Sequence, residues 1–265
     1  MRQVFPLHAE TQASAGYSID PLLESNFTRC NGLLHKYPGR VLLVTTGACA
    51  IHCRYCFRRH FPYAEVPHSI KQWIPAIDAI AEDSSIEEVL LSGGDPLMLV
   101  DDILQSLIEQ IASIPHLQRL RIHTRLPVVV PSRVTDRLIA MLKQTRLTCF
   151  VVLHINHVNE IDDSVAAASA NLIDHGIPVL NQAVLLRDVN DSFDALSSLF
   201  RRLINLRIIP YYLHQLDHVA GAAHFAVDEA RGRELIGQLQ DALPGYAVPR
   251  YVVEQPNQKC KTVLR

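Results

Sequence analysis

Six short runs rich in β-branched and aliphatic residues, at 41–46, 88–92, 117–124, 148–154, 178–185 and 208–213, alternate with stretches of helical period at 72–82, 102–113, 133–145, 163–175, 193–206 and 228–243. Each pair of elements occupies roughly 30 residues, the size of a βαβ unit, and parallel strands need such crossovers because a tight hairpin cannot join them. The repeat predicts an α/β chain with a parallel sheet. Six units fall short of the eight that close a barrel, so the expected architecture is an open partial (βα)6 barrel; a doubly wound open sheet is the competing arrangement. No tandem repeat or low-complexity linker divides the chain. The expected organisation is a barrel over residues 37–265, preceded by an extension, 1–36, that packs on it.

The distinctive polar residues follow the expected strands. A cysteine-rich segment comes after the first, Ser92-Gly93-Gly94-Asp95 after the second, and His123 and Arg125 after the third. His154, Asn156 and His157 follow the fourth, Gln182 lies in the fifth, and His214 and Asp217 come after the sixth. Ligands of βα folds bind at the carboxyl ends of the strands, so these groups are expected to converge although they are far apart in sequence.

Cys49, Cys53 and Cys56 stand in a Cys-x3-Cys-x2-Cys spacing within CAIHCRYCFRR. Three thiolates so close can hold three irons of a [4Fe-4S] cluster and leave the fourth open to a ligand that is not protein. Zinc is the alternative, with His52 or His60 as fourth ligand, although no second Cys pair follows at finger-like distance. Six cysteines in 265 residues is too sparse for a disulfide-stapled secreted domain, and Cys30, Cys149 and Cys260 are scattered, so a reducing compartment is expected. The formal net charge of -2 gives no basic excess for nucleic acid. No apolar stretch reaches the roughly 18 residues of a membrane span, and the N-terminus lacks a signal-peptide pattern. A cytoplasmic setting with no membrane partner is expected.

CAIHCRYCFRRHFPYAE and SGGDPL, extended by HINHVNE, NQAVLLRDVND and GYAVPRYVVE, resemble the radical S-adenosylmethionine superfamily, specifically the lysine 2,3-aminomutase family. The resemblance runs from Leu34 to Leu264. LLHKYPGR and CRYCFRRHFPYAE look nearest to the bacterial enzymes that form (R)-β-lysine for attachment to elongation factor P. The resemblance implies a radical SAM partial TIM-like barrel. It also implies an isomerase that moves the α-amino group of L-lysine to the β-carbon, supplied by an electron donor and linked to elongation factor P only through its product.

The implied cofactors are a [4Fe-4S] cluster, S-adenosylmethionine and pyridoxal 5'-phosphate. By resemblance Cys49, Cys53 and Cys56 ligate the cluster, while Gly93, Gly94, Asp95, His154 and Gln182 border S-adenosylmethionine. Lys261 corresponds to the lysine that carries pyridoxal phosphate as a Schiff base, Arg40 to the arginine on its phosphate, and Tyr37 is expected beside it. Arg58 matches the position that pairs with the substrate carboxylate; a guanidinium suits that task because it forms two parallel charge-assisted hydrogen bonds. Asp217 and Glu254 match the acids that take the substrate ε-ammonium, with Glu254 where larger relatives carry Asp. The glycines the family often places before the lysine are here Asn257-Gln258-Lys259-Cys260, a change expected to disturb a loop that uses positive φ. Two other readings are an aminomutase for another amino acid and a noncatalytic iron-sulfur protein.

Overall fold

Alternate positions on the central strands differ in chemistry, and that difference sets the layers. A computed structural model describes residues 2–265. Its strands are β1 (Thr28–Cys30), β2 (Leu33–Tyr37), β3 (Arg40–Thr46), β4 (Glu88–Gly93), β5 (Arg119–Thr124), β6 (Thr148–His154), β7 (Val179–Val184), β8 (Ile209–His214), β9 (Arg250–Val253) and β10 (Thr262–Val263). The helices are α1 (Ile70–Ala81), α2 (Asp101–Ala112), α3 (Leu126–Val129), α4 (Asp136–Gln144), α5 (Asp163–Asp174), α6 (Phe193–Asn205) and α7 (Glu229–Ala242).

On β5, Leu120 and Ile122 are fully buried in the main core, whereas Arg119, Arg121 and His123 occupy the other face. The parallel register carries the alternation from strand to strand, pairing Leu42 with Leu90, Val44 with Ser92 and His154 with Gln182. The outer face packs on the helices through Val41, Leu91, Leu120 and Leu153 against residues such as Trp73, Leu107, Phe200 and Leu235. Full burial of side chains this size stabilises by about 1.5–3 kcal/mol each. The inner face is mixed, with Leu42, Leu90 and Val152 beside polar residues; Arg121 and Glu88 form a bidentate pair on it, at 3.0 and 2.7 Å.

The helices follow from stripe and cap. In α6 the buried residues Leu196, Leu199, Phe200 and Leu203 fall on one face, and the Ser192 side chain accepts from the Ala195 amide at 3.3 Å. Thr135 caps α4 and Asp162 caps α5 in the same manner.

The ten strands lie in sequence order in one sheet, parallel from β3 to β9, with β1 and β10 as its ends. The six expected strand-helix units are present and the barrel is open. Four strands were not expected from the sequence. β1 and β2 extend one side antiparallel, and β9 continues the parallel run before pairing with antiparallel β10. A Pro38-Gly39 turn joins β2 to β3, with Gly39 at φ +73° and Tyr37 opposite Arg40. Thr28–Cys30 and Leu33–Tyr37 therefore belong to the sheet.

Candidate active site

The chain after β3 carries the three cysteines, all partly buried and unpaired. The turn after β4 holds this loop by its backbone. Gly94 N–H donates to Thr46 O at 2.6 Å and Asp95 N–H to Ala48 O at 2.8 Å. Gly93 sits at φ +123°, and a Cβ on Gly94 would overlap the Ala48 carbonyl, so glycine is required at both positions. The Asp95 carboxylate is used in structure: it accepts from Thr124 Oγ1 at 2.7 Å and from the amides of Leu97, Arg125 and Leu126. Burial raises its pKa despite these bonds. One carboxylate thus ties the turn after β4 to the end of β5, beside the cysteines. Burial, then the charges of Asp95 and the other two cysteines, push the Cys49 thiol up to about 12.

Deeper in the barrel mouth, the ends of β5, β6, β7 and β8 contribute His123, His154, Gln182 and His214. The His123 and His154 rings meet edge-on, 5.9 Å between centroids, and Gln182 Nε2 lies 3.1 Å from His154 Nε2. Burial, reinforced by Arg125 and Arg58, lowers the His154 pKa to about 3, and burial likewise holds His123 and His214 neutral. Nε2 of His123 and of His214 are buried without a hydrogen-bond partner among the described residues. An orphaned buried imidazole nitrogen is costly, so these two atoms mark places where a polar ligand belongs.

The third group bridges the free sides of the sheet. Glu254, just past β9, accepts from Lys36 Nζ at 3.0 Å and from Tyr37 Oη at 2.5 Å, both on β2, and from Lys261 Nζ. Burial alone would raise the Glu254 pKa; Lys261, Tyr37 and Lys36 overcome it and bring it to about 2. Asp217 has no such donors among the described residues. Burial and the charge of Glu254 raise it to about 7, with Lys261 opposing. The Arg40 guanidinium stacks on Tyr37, 4.6 Å from the ring centroid. Asn257 adopts φ +63°, so the turn before Lys261 holds a left-handed residue without glycine.

Arg58 is buried and already engaged. Its Nε and Nη2 grip Glu24 at 2.8 and 2.6 Å, leaving Nη1 on Ser92 Oγ at 3.0 Å. Burial opposes its charge, and Glu24 raises its pKa nonetheless. Glu24 was not singled out from the sequence, and no spacing signal marks it.

Residues 43–199 match the Radical SAM superfamily. An L-lysine 2,3-aminomutase of Haemophilus influenzae is 48% identical over 261 residues, 98% of this chain and 77% of that protein. The Escherichia coli L-lysine 2,3-aminomutase is 44% identical over 264 residues, 100% of this chain and 77% of its own length. The chain belongs to the radical SAM superfamily and, within it, to the lysine 2,3-aminomutase family. The fold agrees: Streptococcus suis SuiB bound to S-adenosylmethionine superposes with a TM-score of 0.63 at 16% identity, over 83% of this chain and 51% of that one.

Membership makes the chain an isomerase type that uses a [4Fe-4S] cluster, S-adenosylmethionine and pyridoxal phosphate. The residues present fit all three. The thiols lie within electrostatic reach of one another on a loop cradled by glycine, and a coordinating metal would deprotonate them. Among the described residues no three His, Cys, Asp or Glu side chains are gathered tightly enough for a single metal ion. A cuboidal cluster spreads its thiolates wider than one zinc does. The orphaned histidine nitrogens suit a polar organic ligand, and Lys261 beside Tyr37 and Arg40 supplies an amine and a guanidinium for a phosphorylated aldehyde. No helix among the described residues is long and apolar enough to cross a membrane.

Proposed function

We propose that this chain converts L-lysine to (R)-β-lysine in the cytoplasm, drawing on an electron donor, and that its product goes on to modify elongation factor P. Cys49, Cys53 and Cys56 hold the cluster. Gly93, Gly94, His154 and Gln182 line the place of S-adenosylmethionine, and Asp95 fixes that wall by tying the turn after β4 to β5. Lys261 is the amine for pyridoxal phosphate, Arg40 grips the phosphate, and Tyr37 orders both by stacking on Arg40 and donating to Glu254. When bound, these groups supply a carbon-centred hydrogen abstractor and a π system that spreads the unpaired electron.

The rest is done by side chains. Arg58, held by Glu24, presents its Nη1 edge to the lysine carboxylate. Asp217 and Glu254 receive the ε-ammonium, and together these ends fix the reacting carbons between them. Glu254 keeps the Lys261 side chain paired until the cofactor arrives. Burial keeps His123, His154 and His214 neutral, so they add no positive charge beside a cationic substrate.

The observation that carries the choice of lysine is the pairing of Asp217 with Glu254: once Lys261 is engaged by the cofactor, two acids face Lys36 alone, and the surplus negative charge attracts a cationic side chain and repels an acidic one. The test is an anaerobic assay of reconstituted protein with L-lysine, S-adenosylmethionine, pyridoxal phosphate and a reductant, read for β-lysine by mass spectrometry. Product should require every component and disappear in Lys261→Ala, with iron content unchanged. Release of deoxyadenosine without β-lysine would reassign the substrate.

A further inference from the structure

We propose that Arg125 sets the reduction potential of the cluster by hydrogen bonding to the Cys53 thiolate, and that Glu160, aligned by Gln3, tempers its charge. Arg125 is the residue after β5 and is nearly buried, with its side chain 11% exposed. Its Nη1 lies 2.8 Å from Cys53 Sγ and 2.6 Å from Tyr55 Oη. Its Nη2 donates to Glu160 Oε2 at 2.6 Å and to Gln3 Oε1 at 3.1 Å. Among the described residues, Cys53 is the member of the triad whose sulfur accepts a side-chain hydrogen bond.

The surroundings hold this contact in place. Gln3, 8% exposed, donates from Nε2 to Glu160 Oε1 at 2.9 Å, and its Oε1 also accepts from Asn156 Nδ2 at 2.8 Å. Asn156 donates in turn to Tyr55 Oη at 2.7 Å. Glu160 Oε1 accepts from the amides of Asn156 and His157, each at 2.9 Å. The Arg125 amide is anchored by Asp95, and the carbonyl of Gln3 accepts from the Arg54 amide at 3.0 Å, next to Cys53 in sequence. A segment at the start of the chain is thus built into a network that ends on a cluster sulfur.

The physical consequence is electronic. Reduction adds one electron to the cluster, and charge on its sulfurs rises, so a donor aimed at a ligating sulfur stabilises the reduced form more than the oxidised one. Arg125 alone would raise the potential by its full positive charge. The Glu160 carboxylate, on the far side of the same guanidinium, cancels part of that charge while leaving the hydrogen bond to sulfur intact. The potential depends on the balance of the two.

This rests on Cys53 being a cluster ligand, and the experiment separates the two claims. Reconstituted wild-type, Arg125→Gln and Glu160→Gln proteins are assayed for iron and sulfide, then titrated with redox mediators and followed by electron paramagnetic resonance. A wild-type protein without a [4Fe-4S] signal refutes the cysteine assignment. With the cluster present, Arg125→Gln should move the midpoint potential down and Glu160→Gln should move it up. A role confined to folding the loop would shift iron content without opposite movements of potential. Shifts of the same sign, or none, overturn the proposal. Should Arg125→Gln lose its cluster, Glu160→Gln decides alone: an upward shift supports the proposal, and an unchanged or lower potential overturns it.

Discussion

Lys36 and Glu254, 218 residues apart in sequence, meet at 3.0 Å across the opening between the two ends of the sheet, which runs from β1 to β10 without closing. Their side chains are 10% and 12% exposed, so the pair is desolvated. Lys261 joins the same carboxylate. Removing one charge from a buried group costs more than the pair contributes, because the partners stay buried. Glu254→Gln leaves two ammonium groups facing a neutral amide, and a loss of about 3–5 kcal/mol is expected. That corresponds to a fall in Tm of roughly 10 °C. Calorimetry checks it; a fall of a degree or two would mean that water solvates the two lysines.

Asp217 should give lysine binding a pH dependence. Burial holds its carboxyl at about 7, well above the ordinary value, so its proton is lost only near neutrality. As a raised group it favours the fold fully below the unfolded value of about 3.9, and that contribution is lost as pH rises through about 7. Substrate binding has the opposite sign, since the ε-ammonium wants the carboxylate. KM for lysine should therefore fall as pH rises from 6 to 8, with kcat less affected. Asp217→Asn should raise KM and flatten the profile. A profile that keeps its slope in the variant would assign the titration to another group.

Much of this arrangement was legible in the sequence because it depends on local pattern. The six central strands and their helices follow from periodicity, and the cysteines, Gly93, Gly94, His154 and Gln182 lie at strand ends, where chemistry in such folds collects. What was missed depends on long-range pairing. The Pro38-Gly39 turn closes a hairpin that was not expected, because Leu33–Tyr37 alone has too short an apolar pattern to declare a strand. Thr262–Val263 is a strand only because β9 is there to receive it. Glu24 and Gln3 look like surface residues of an N-terminal segment, and their partners, Arg58 and Arg125, lie far along the chain. Charge pairing across such distance leaves no spacing to read.

Gly94 makes a sharp test of the cradle around the cysteines. A methyl group there would collide with the Ala48 carbonyl, and the hydrogen bonds from the turn after β4 to Thr46 and Ala48 would have to open. The main core does not depend on this turn, since it lies between the sheet and the helices. Gly94→Ala should lower iron and sulfide per chain severalfold after reconstitution, while the circular dichroism spectrum stays that of wild type. Full iron loading would show that the loop can retreat and hold the cluster elsewhere.

The Arg58–Glu24 fork predicts an unusual response to substrate. Two of the three guanidinium nitrogens of Arg58 are taken by one carboxylate, with the two side chains only 6% and 12% exposed. Glu24→Ala leaves a buried guanidinium with Ser92 Oγ as its remaining neutral acceptor, and a stability loss of about 3–5 kcal/mol follows. The carboxylate of L-lysine can then supply part of the missing charge. Added lysine binds the folded form alone and stabilises it with the logarithm of its concentration over Kd, so the cofactor-loaded variant should gain more from a given lysine concentration than wild type does. Norleucine, which keeps the carboxylate but not the ε-ammonium, should reproduce the extra gain, and cadaverine, which lacks the carboxylate, should not. An equal shift in variant and wild type would place the substrate carboxylate away from Arg58.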